Sequence, residues 1–413
     1  MTLGGCGDDP RELRDQRAAS VRQAYQEGGE IHLGAVWNGA PDSGFLAGAS
    51  LAAEELNAAG GISGRMIRLK FVDERPFLDQ MKVDRAQFEG RYRSAMQDAG
   101  TAMARALLDD PRIAAVIGHS DAGQTTLSAM SVYDAHGVVL LSAGTSDARV
   151  KWMGSELYFQ LLPSDKLLVS KLVEEIIDQR WDNVRLVYEN TRHNERIAEL
   201  LKSELANRKV ALTGTTALVG DVLNGAATPR RLQISLSELR EGVVDAVVVL
   251  APPVMAAQVI RYARSLGIAQ PFIGTMAMDF PVFVQHVEDA GENTIVTGIY
   301  RDDAYQARRF ADKFRARFPG QEADKWAALG YDSVRLYAEA VGCAQTTDPV
   351  VVSHTLNFKL PLWFGLVGQY AFRAGEGENA RMRFHTKVLR RQADGKLRFV
   401  FLHQPATDAT LSR

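Results

Sequence analysis

Apolar positions fall into short runs separated by segments with a different period. Ile31–Val36, Met66–Val72, Ala114–Ile117 and Val138–Leu141 are short runs rich in apolar residues, as are Val184–Tyr188, Ala246–Leu250, Phe272–Ile273 and Thr294–Ile299, and Ala211–Leu218 is a further candidate with threonines at its centre. Runs of this length bounded by polar or glycine-containing turns read as buried β-strands. Between them the period lengthens to that of a helix. From Phe45 to Ala58, Leu46, Ala49, Ala53 and Leu56 share one side, and Asn57-Ala58-Ala59-Gly60-Gly61 ends the pattern because glycine accepts the left-handed cap conformation. Ser164–Gln179, Asn194–Asn207 and Met255–Leu266 repeat it, and a further helix separates Ala114–Ile117 from Val138–Leu141.

Continuous apolar strands alternating with helices predict parallel sheets covered on both faces. The alternation runs twice, over 31–160 and 161–298, so two similar α/β lobes are expected. Beyond them the pattern changes. Arg308–Phe318 and Ala327–Cys343 are helical, and Gly368–Phe372, Arg383–Arg391 and Leu397–Leu402 read as antiparallel strands with a turn at Gly395. Residues 8–28 read as a charged helix or tether. Residues 74–100 form a long charged insert, expected as a surface elaboration in preference to an added helix or lid.

A chain of 413 residues exceeds one ordinary core, in keeping with two lobes. Lys+Arg 48 against Asp+Glu 50 leaves a net charge of -2, which gives no field for nucleic acid or an anionic membrane surface. The best apolar stretch, Val243 to Ala257, is interrupted by Asp245, Pro252 and Pro253, so it does not read as a membrane span. Two cysteines, Cys6 and Cys343, do not make a disulfide framework, and Cys343 is expected as a buried small hydrophobe. Leu3-Gly4-Gly5-Cys6 is similar to a bacterial lipobox: small residues allow the backbone into a peptidase site, and the thiol takes the lipid. The polar Gly7-Asp8-Asp9-Pro10 that follows suits a tether, although the charged and apolar regions that usually precede such a box are missing.

In open parallel sheets, ligands bind beyond the carboxyl ends of the strands. Two such junctions are rich in small and hydroxyl residues: Gly118-His119-Ser120-Asp121-Ala122-Gly123-Gln124-Thr125 and Ser142-Ala143-Gly144-Thr145-Ser146. Small side chains let a ligand reach the backbone, and hydroxyls both donate and accept; the plainer role of these residues is to cap the helices that follow. Gly118-His119-Ser120-Asp121-Ala122 is also one residue away from a nucleophile elbow. A serine hydrolase built on Ser120 would need His385 or His403 as base and Asp279 or Asp332 as acid, yet the histidines lie in the strand-rich tail and no glycine-run oxyanion motif precedes Ser120. Dinucleotide, P-loop, zinc-protease and Cys-x-x-Cys motifs are absent, and the eight histidines show no metal-ligand spacing, so no cofactor or metal is expected.

Asn57-Ala58-Ala59-Gly60-Gly61-Ile62-Ser63-Gly64-Arg65, with Ile67-Arg68-Leu69 and Asp73 following, resembles the leucine/isoleucine/valine-type substrate-binding proteins of ABC importers. The resemblance continues through Val116–His119, Ser142–Thr145, Asp245–Val249, Arg261–Ile268, Gly330-Tyr331-Asp332, Gly365, Gly368 and Phe372, covering about 31–402. It implies a type I periplasmic-binding-protein fold: two doubly wound parallel-sheet lobes joined by a three-strand hinge around a cleft. The implied division is a lipid tether and linker over 1–30, a first lobe from 31–160 plus 299–357, and a second from 161–298 plus 358–413. The implied protein is a monomeric, lipid-anchored receptor on the outer face of the membrane, not an enzyme, which closes on a small-molecule ligand and docks an ABC permease. A ligand-sensing module on the same fold is the alternative within this class.

The resemblance also carries site positions. The family hydroxyl of the first turn falls at Ala122, beside Gly123, so Ser120 or Thr125 would have to replace it. Ala143, Gly144 and Thr145 match the next turn and are expected to supply a carbonyl, an N–H and a hydroxyl. Pro252 replaces an aromatic, His193 a common tyrosine, and Met276 the acidic residue that pairs with a ligand ammonium; Trp37 would close one wall. A buried ammonium without a carboxylate is costly, so Asp121 or Asp279 would have to supply the charge. The expected ligand is an amino acid or small carboxylate with an apolar or aromatic body.

Overall fold

In the computed structural model, which describes residues 10–39, 43–79, 89–120, 124–218, 236, 243–360, 362–372, 377–379 and 381–402, the first four apolar runs become neighbouring strands. They are β1 (Ile31–Trp37), β2 (Ile67–Asp73), β3 (Ile113–Gly118) and β4 (Val139–Ser142); β5 (Tyr158–Gln160) extends the sheet to the order β2-β1-β3-β4-β5, with every pair parallel. The central strand β3 is buried at every position, whereas the edge strand β2 is largely half-exposed, as a sheet covered on both faces requires. Register sets Val36 beside Gly118, Gly118 beside Ser142, and Trp37 beside Asp73. The carboxyl ends of four strands therefore share one edge.

The helices of this unit are α1 (Pro10–Gln26), α2 (Gly44–Ala58), α3 (Arg75–Asp79), α4 (Glu89–Leu108) and α5 (Gln124–Ala135). The second sheet contains β6 (Asn183–Glu189), β7 (Ala211–Leu218), β8 (Ala246–Leu250), β9 (Phe272–Gly274) and β10 (Ile295–Gly298), with α6 (Asp165–Asp178), α7 (Arg192–Asn207), α8 (Pro253–Ser265) and α9 (Pro281–Val287). Then come α10 (Tyr305–Arg317), α11 (Lys325–Ala344), α12 (Pro349–His354), the short hairpin strands β11 (Trp363–Phe364) and β12 (Gln369–Tyr370), and finally β13 (His385–Arg391) and β14 (Leu397–Phe401). The second sheet runs β14-β13-β10-β9-β8-β6-β7, parallel from β10 to β7, with β13 and β14 added antiparallel. Gly395 turns the last hairpin at φ +79°. Here too the carboxyl ends of β6, β8 and β9 align, with Tyr188 beside Leu250 and Val249 beside Gly274.

The chain divides into two compact units, Met1–Ser164 with Arg301–Arg383, and Asp165–Tyr300 with Phe384–Arg413. This differs from the expected division in two places. Residues 358–383 pack with the first unit, not the second. Asp332 on α11 accepts hydrogen bonds from Leu366 N, Val367 N and the Tyr370 hydroxyl, and Gln160 at the end of β5 donates its N–H to Gly377 O. The 10–26 part of the presumed tether is a helix built into the first unit. Val21 and Tyr25 are buried, Arg17 donates to Leu108 O at 2.8 Å and Asp110 O at 3.0 Å at the carboxyl end of α4, and Thr347 donates to Val21 O.

Two further expectations are corrected. The 74–100 insert is not a surface elaboration where it is described. Met96, Ala99, Met103, Ala104 and Leu107 form a helical stripe on α4 that is buried in the core with α5 and β3, and Gly100 packs against Thr125 O so closely that a Cβ would collide. Cys343 is exposed, because the buried face of α11 runs through Leu336, Tyr337, Ala340 and Val341 and has rotated away one turn later. The same helix joins the distant parts of the first unit. Gly48 of α2 meets Ala327 O, and Gly330 of α11 meets Phe45 O, at distances that only glycine allows.

Candidate functional site

In the first unit, Trp37, Ser120, Ala143, Gly144 and Thr145 all lie at the carboxyl ends of the adjacent strands β1, β3 and β4. The turns are packed backbone to backbone. A side chain on Gly144 would strike His119 O and the Ser120 main chain. Gly118 takes φ +112°, and a Cβ there would collide with Val36 O, a conformation and a closeness that exclude other residues. Ala143 N donates to Gly118 O at 3.2 Å. The Thr145 hydroxyl, expected to face a ligand, is buried and donates to Thr126 Oγ1 at 2.9 Å. Trp37 is also buried; its indole stacks on Phe45 at 3.9 Å and lies 5.3 Å from Trp326. Asp121, Ala122 and Gly123, like the lipidation candidate Cys6, lie outside the described residues.

Beside Ser120 is a residue the sequence did not single out. Glu74 follows β2 directly; its N–H donates to Trp37 O at 3.2 Å and its side chain is fully buried. Both of its carboxylate oxygens are occupied by Ser120: Oε1 accepts from Ser120 N at 3.0 Å, and Oε2 accepts the Ser120 hydroxyl. His119, also fully buried, brings Nδ1 to 3.5 Å from Oε1, too far and too poorly aligned for a hydrogen bond, while its Nε2 is 3.0 Å from the Tyr133 hydroxyl. Burial, and secondarily the Glu74 charge, push the Tyr133 phenol well above its usual value, so it stays neutral and bridges to the imidazole. No pattern of period or composition announces Glu74. The available sign was an acidic residue immediately after a strand whose carboxyl end faces the candidate turns.

In the second unit, His193, Pro252 and Met276 follow β6, β8 and β9 respectively and so share that sheet's carboxyl edge. His193 sits in the first turn of α7 with Nδ1 3.2 Å from Arg196 Nη2, and Arg196 in turn pairs with the buried Asp165 at 3.0 Å. Pro252 is exposed and caps α8 without a side-chain bond. Met276 is buried at the start of a 3-10 turn, Met276–Met278, where Thr275 Oγ1 accepts from Ala277 N. Asp279, the expected alternative anion for a ligand ammonium, is held by Lys387 of β13 at 3.1 Å, and that lysine is only 2% exposed. Its charge is already balanced inside the unit.

The hydrolase constellation is not assembled. The Ser120 hydroxyl is bound to a carboxylate, and the adjacent imidazole is turned to Tyr133. Of the two candidate acids, Asp332 is taken by the 366–370 segment and Asp279 by Lys387. His385 lies in β13 of the other unit, and His403 lies outside the described residues. Among the described residues, no group of three His, Cys, Asp or Glu is placed to hold a metal, and no helix is long and apolar enough to cross a membrane.

Two α/β units with parallel sheets and small-residue turns at the strand tips define a bilobal binding-protein class, and sequence comparison agrees. The profile of the periplasmic binding protein family matches residues 95–392, and the chain belongs to that family. An amino acid binding protein of Pseudomonas aeruginosa is 23% identical over 325 residues, 76% of this chain and 77% of the relative. Among solved structures, the ABC transporter substrate-binding protein of Desulfitobacterium hafniense in complex with Leu is similar, with TM-score 0.72 and 23% identity over 90% of this chain and 100% of that one. That of Sphaerobacter thermophilus superposes with TM-score 0.75 and 14% identity over 91% and 97%. The type I periplasmic-binding-protein fold expected from the sequence is thus the fold observed.

Proposed function

We propose that this protein is the solute receptor of an ABC importer of the branched-chain amino acid type, binding a small polar ligand at the carboxyl edges of its parallel sheets. The observation that supports this reading is the packing of Gly144 on the main chain of His119 and Ser120, which brings two small-residue turns together at one edge. His193, Pro252 and Met276 would contribute from the carboxyl edge of the second sheet. A ligand that binds one conformation more tightly than another shifts the population toward it, and that conformation would dock the permease. The relatives bearing the words amino acid binding and ABC transporter substrate-binding support this reading.

Lipidation at Cys6 would hold a monomeric receptor on the outer face of the membrane close to its transporter. The test is a thermal-unfolding screen against amino acids, aromatic acids, dicarboxylates and amides. A ligand present at 100 times its dissociation constant adds about 2.7 kcal/mol of stability, an easily read rise in melting temperature. A flat response across all four classes would overturn the receptor reading.

A further inference from the structure

The Glu74–Ser120 contact has a chemical consequence for the ligand. A backbone N–H and a hydroxyl at a strand tip are the donors an incoming acid group would use. At Ser120 both are already committed, one to each oxygen of a carboxylate that belongs to the protein. That carboxylate is fully buried. The neighbouring cation, Arg75, is turned to Asp73, where its Nη2 lies 2.7 Å from Oδ2. The imidazole of His119 is close, with Nε2 3.0 Å from the Tyr133 hydroxyl and Nδ1 3.5 Å from Glu74 Oε1, where it forms no hydrogen bond. The interior of this turn therefore already holds the kind of group that would be its ligand.

We propose that Glu74 is a specificity-determining residue: by occupying both Ser120 donors with its own carboxylate, it excludes an acid group from this turn and selects a ligand that presents a neutral carboxamide there. A second carboxylate brought within about 4–6 Å of a buried one is disfavoured by an amount that shifts ionisation equilibria tenfold or more, whereas an amide N–H is attracted by the same charge. Glu74 does not touch the ligand; it acts through Ser120 and through its field, as exclusion of a competitor rather than new attraction. This inference rests on the receptor reading and narrows its ligand class.

The test uses acid and amide pairs of one shape, isovalerate with isovaleramide, phenylacetate with phenylacetamide, and leucine with leucinamide, titrated calorimetrically into the intact protein. Wild type is expected to bind the amide at least about tenfold more tightly in the pair it accepts. In Glu74→Gln, which keeps one acceptor for Ser120 but loses the charge, the amide-to-acid ratio should fall by about tenfold. A purely structural Glu74 would weaken both partners equally and leave the ratio unmoved, which would overturn the proposal. Parity or an acid preference in wild type would overturn it even if E74Q does not fold. Failure of every pair would overturn it too, while the receptor reading falls only if the broad melting screen is also flat.

Discussion

The two carboxyl edges are built from the same strand-turn-helix grammar but handle buried charge differently. In the first unit, Glu74 is fully buried and is satisfied by a serine's N–H and hydroxyl. In the second, Asp279 is satisfied by a buried lysine. Neutral donors leave a net charge in the turn, whereas an ion pair cancels it. The first edge is consequently polar and electrostatically biased, and the second, with Pro252 and Met276 beside a neutralised aspartate, is more apolar.

The largest effect should come from breaking the ion pair. Lys387→Met removes the buried cation beside Asp279 and should cost about 3–5 kcal/mol, while adding Asp279→Leu should restore most of it; chemical denaturation of the single and double variants checks this. If the single variant costs under 1 kcal/mol, the second edge is not held by its charges. Next comes a buried carboxylate held by neutral donors. Burial pushes the Asp332 carboxyl up from 3.8 to about 6, against the opposing pull of Val367 N–H, Leu366 N–H and the Tyr370 hydroxyl.

The folded state therefore holds that proton more tightly than the unfolded chain. The stability this contributes is full below about pH 3.8 and is lost as pH rises to about 6, a change of about 3 kcal/mol. Asp332→Asn has no such titration, so its deficit against wild type should be larger at pH 4 than at pH 7, read from urea midpoints; equal deficits would show that the donors cancel burial, and a smaller deficit at pH 4 that they outweigh it.

The smaller effects compare glycines at the two edges. Gly144→Ala drives a methyl into the main chain of residues 119–120, which cannot move aside, and should cost about 2–3 kcal/mol. At Gly274 a methyl would first meet the flexible thioether of Met278 and then Val249 O at 3.0 Å, so Gly274→Ala should cost about 1 kcal/mol. Melting temperatures of the two variants decide whether the first edge is the more rigid. Reversal of their order would mean that it is not.

Strong periodicity explains what the sequence revealed. β8 (Ala246–Leu250) and β7 (Ala211–Leu218) match the expected spans, and α6 and α8 differ from them by a residue or two. What it hid had physical causes. β5 is three residues long and has no period of its own. The core stripe of α4, from Met96 to Leu107, was masked by the charged residues around it. α1 carries Arg17, Val21 and Tyr25 at four-residue spacing, yet an arginine does not read as a core residue until it is seen capping the end of another helix. At the site, the small-residue turns were legible because backbone approach demands such residues. The inward turn of Thr145, the stacking of Trp37 on Phe45 and the capture of Ser120 by Glu74 each join residues on different elements, so the period of a single element does not encode them.

The tight glycine seam between α2 and α11 joins segments some 280 residues apart in the chain. A ribosome adding about 5–20 residues per second needs on the order of tens of seconds to supply the second half of that seam. Until then the apolar face of α2 has no permanent cover, although β6 to β10 of the second unit have already been made. Newly made protein should therefore depend on a holding chaperone near its beginning, and any stop codon before α11 should yield a product that aggregates instead of half a working molecule.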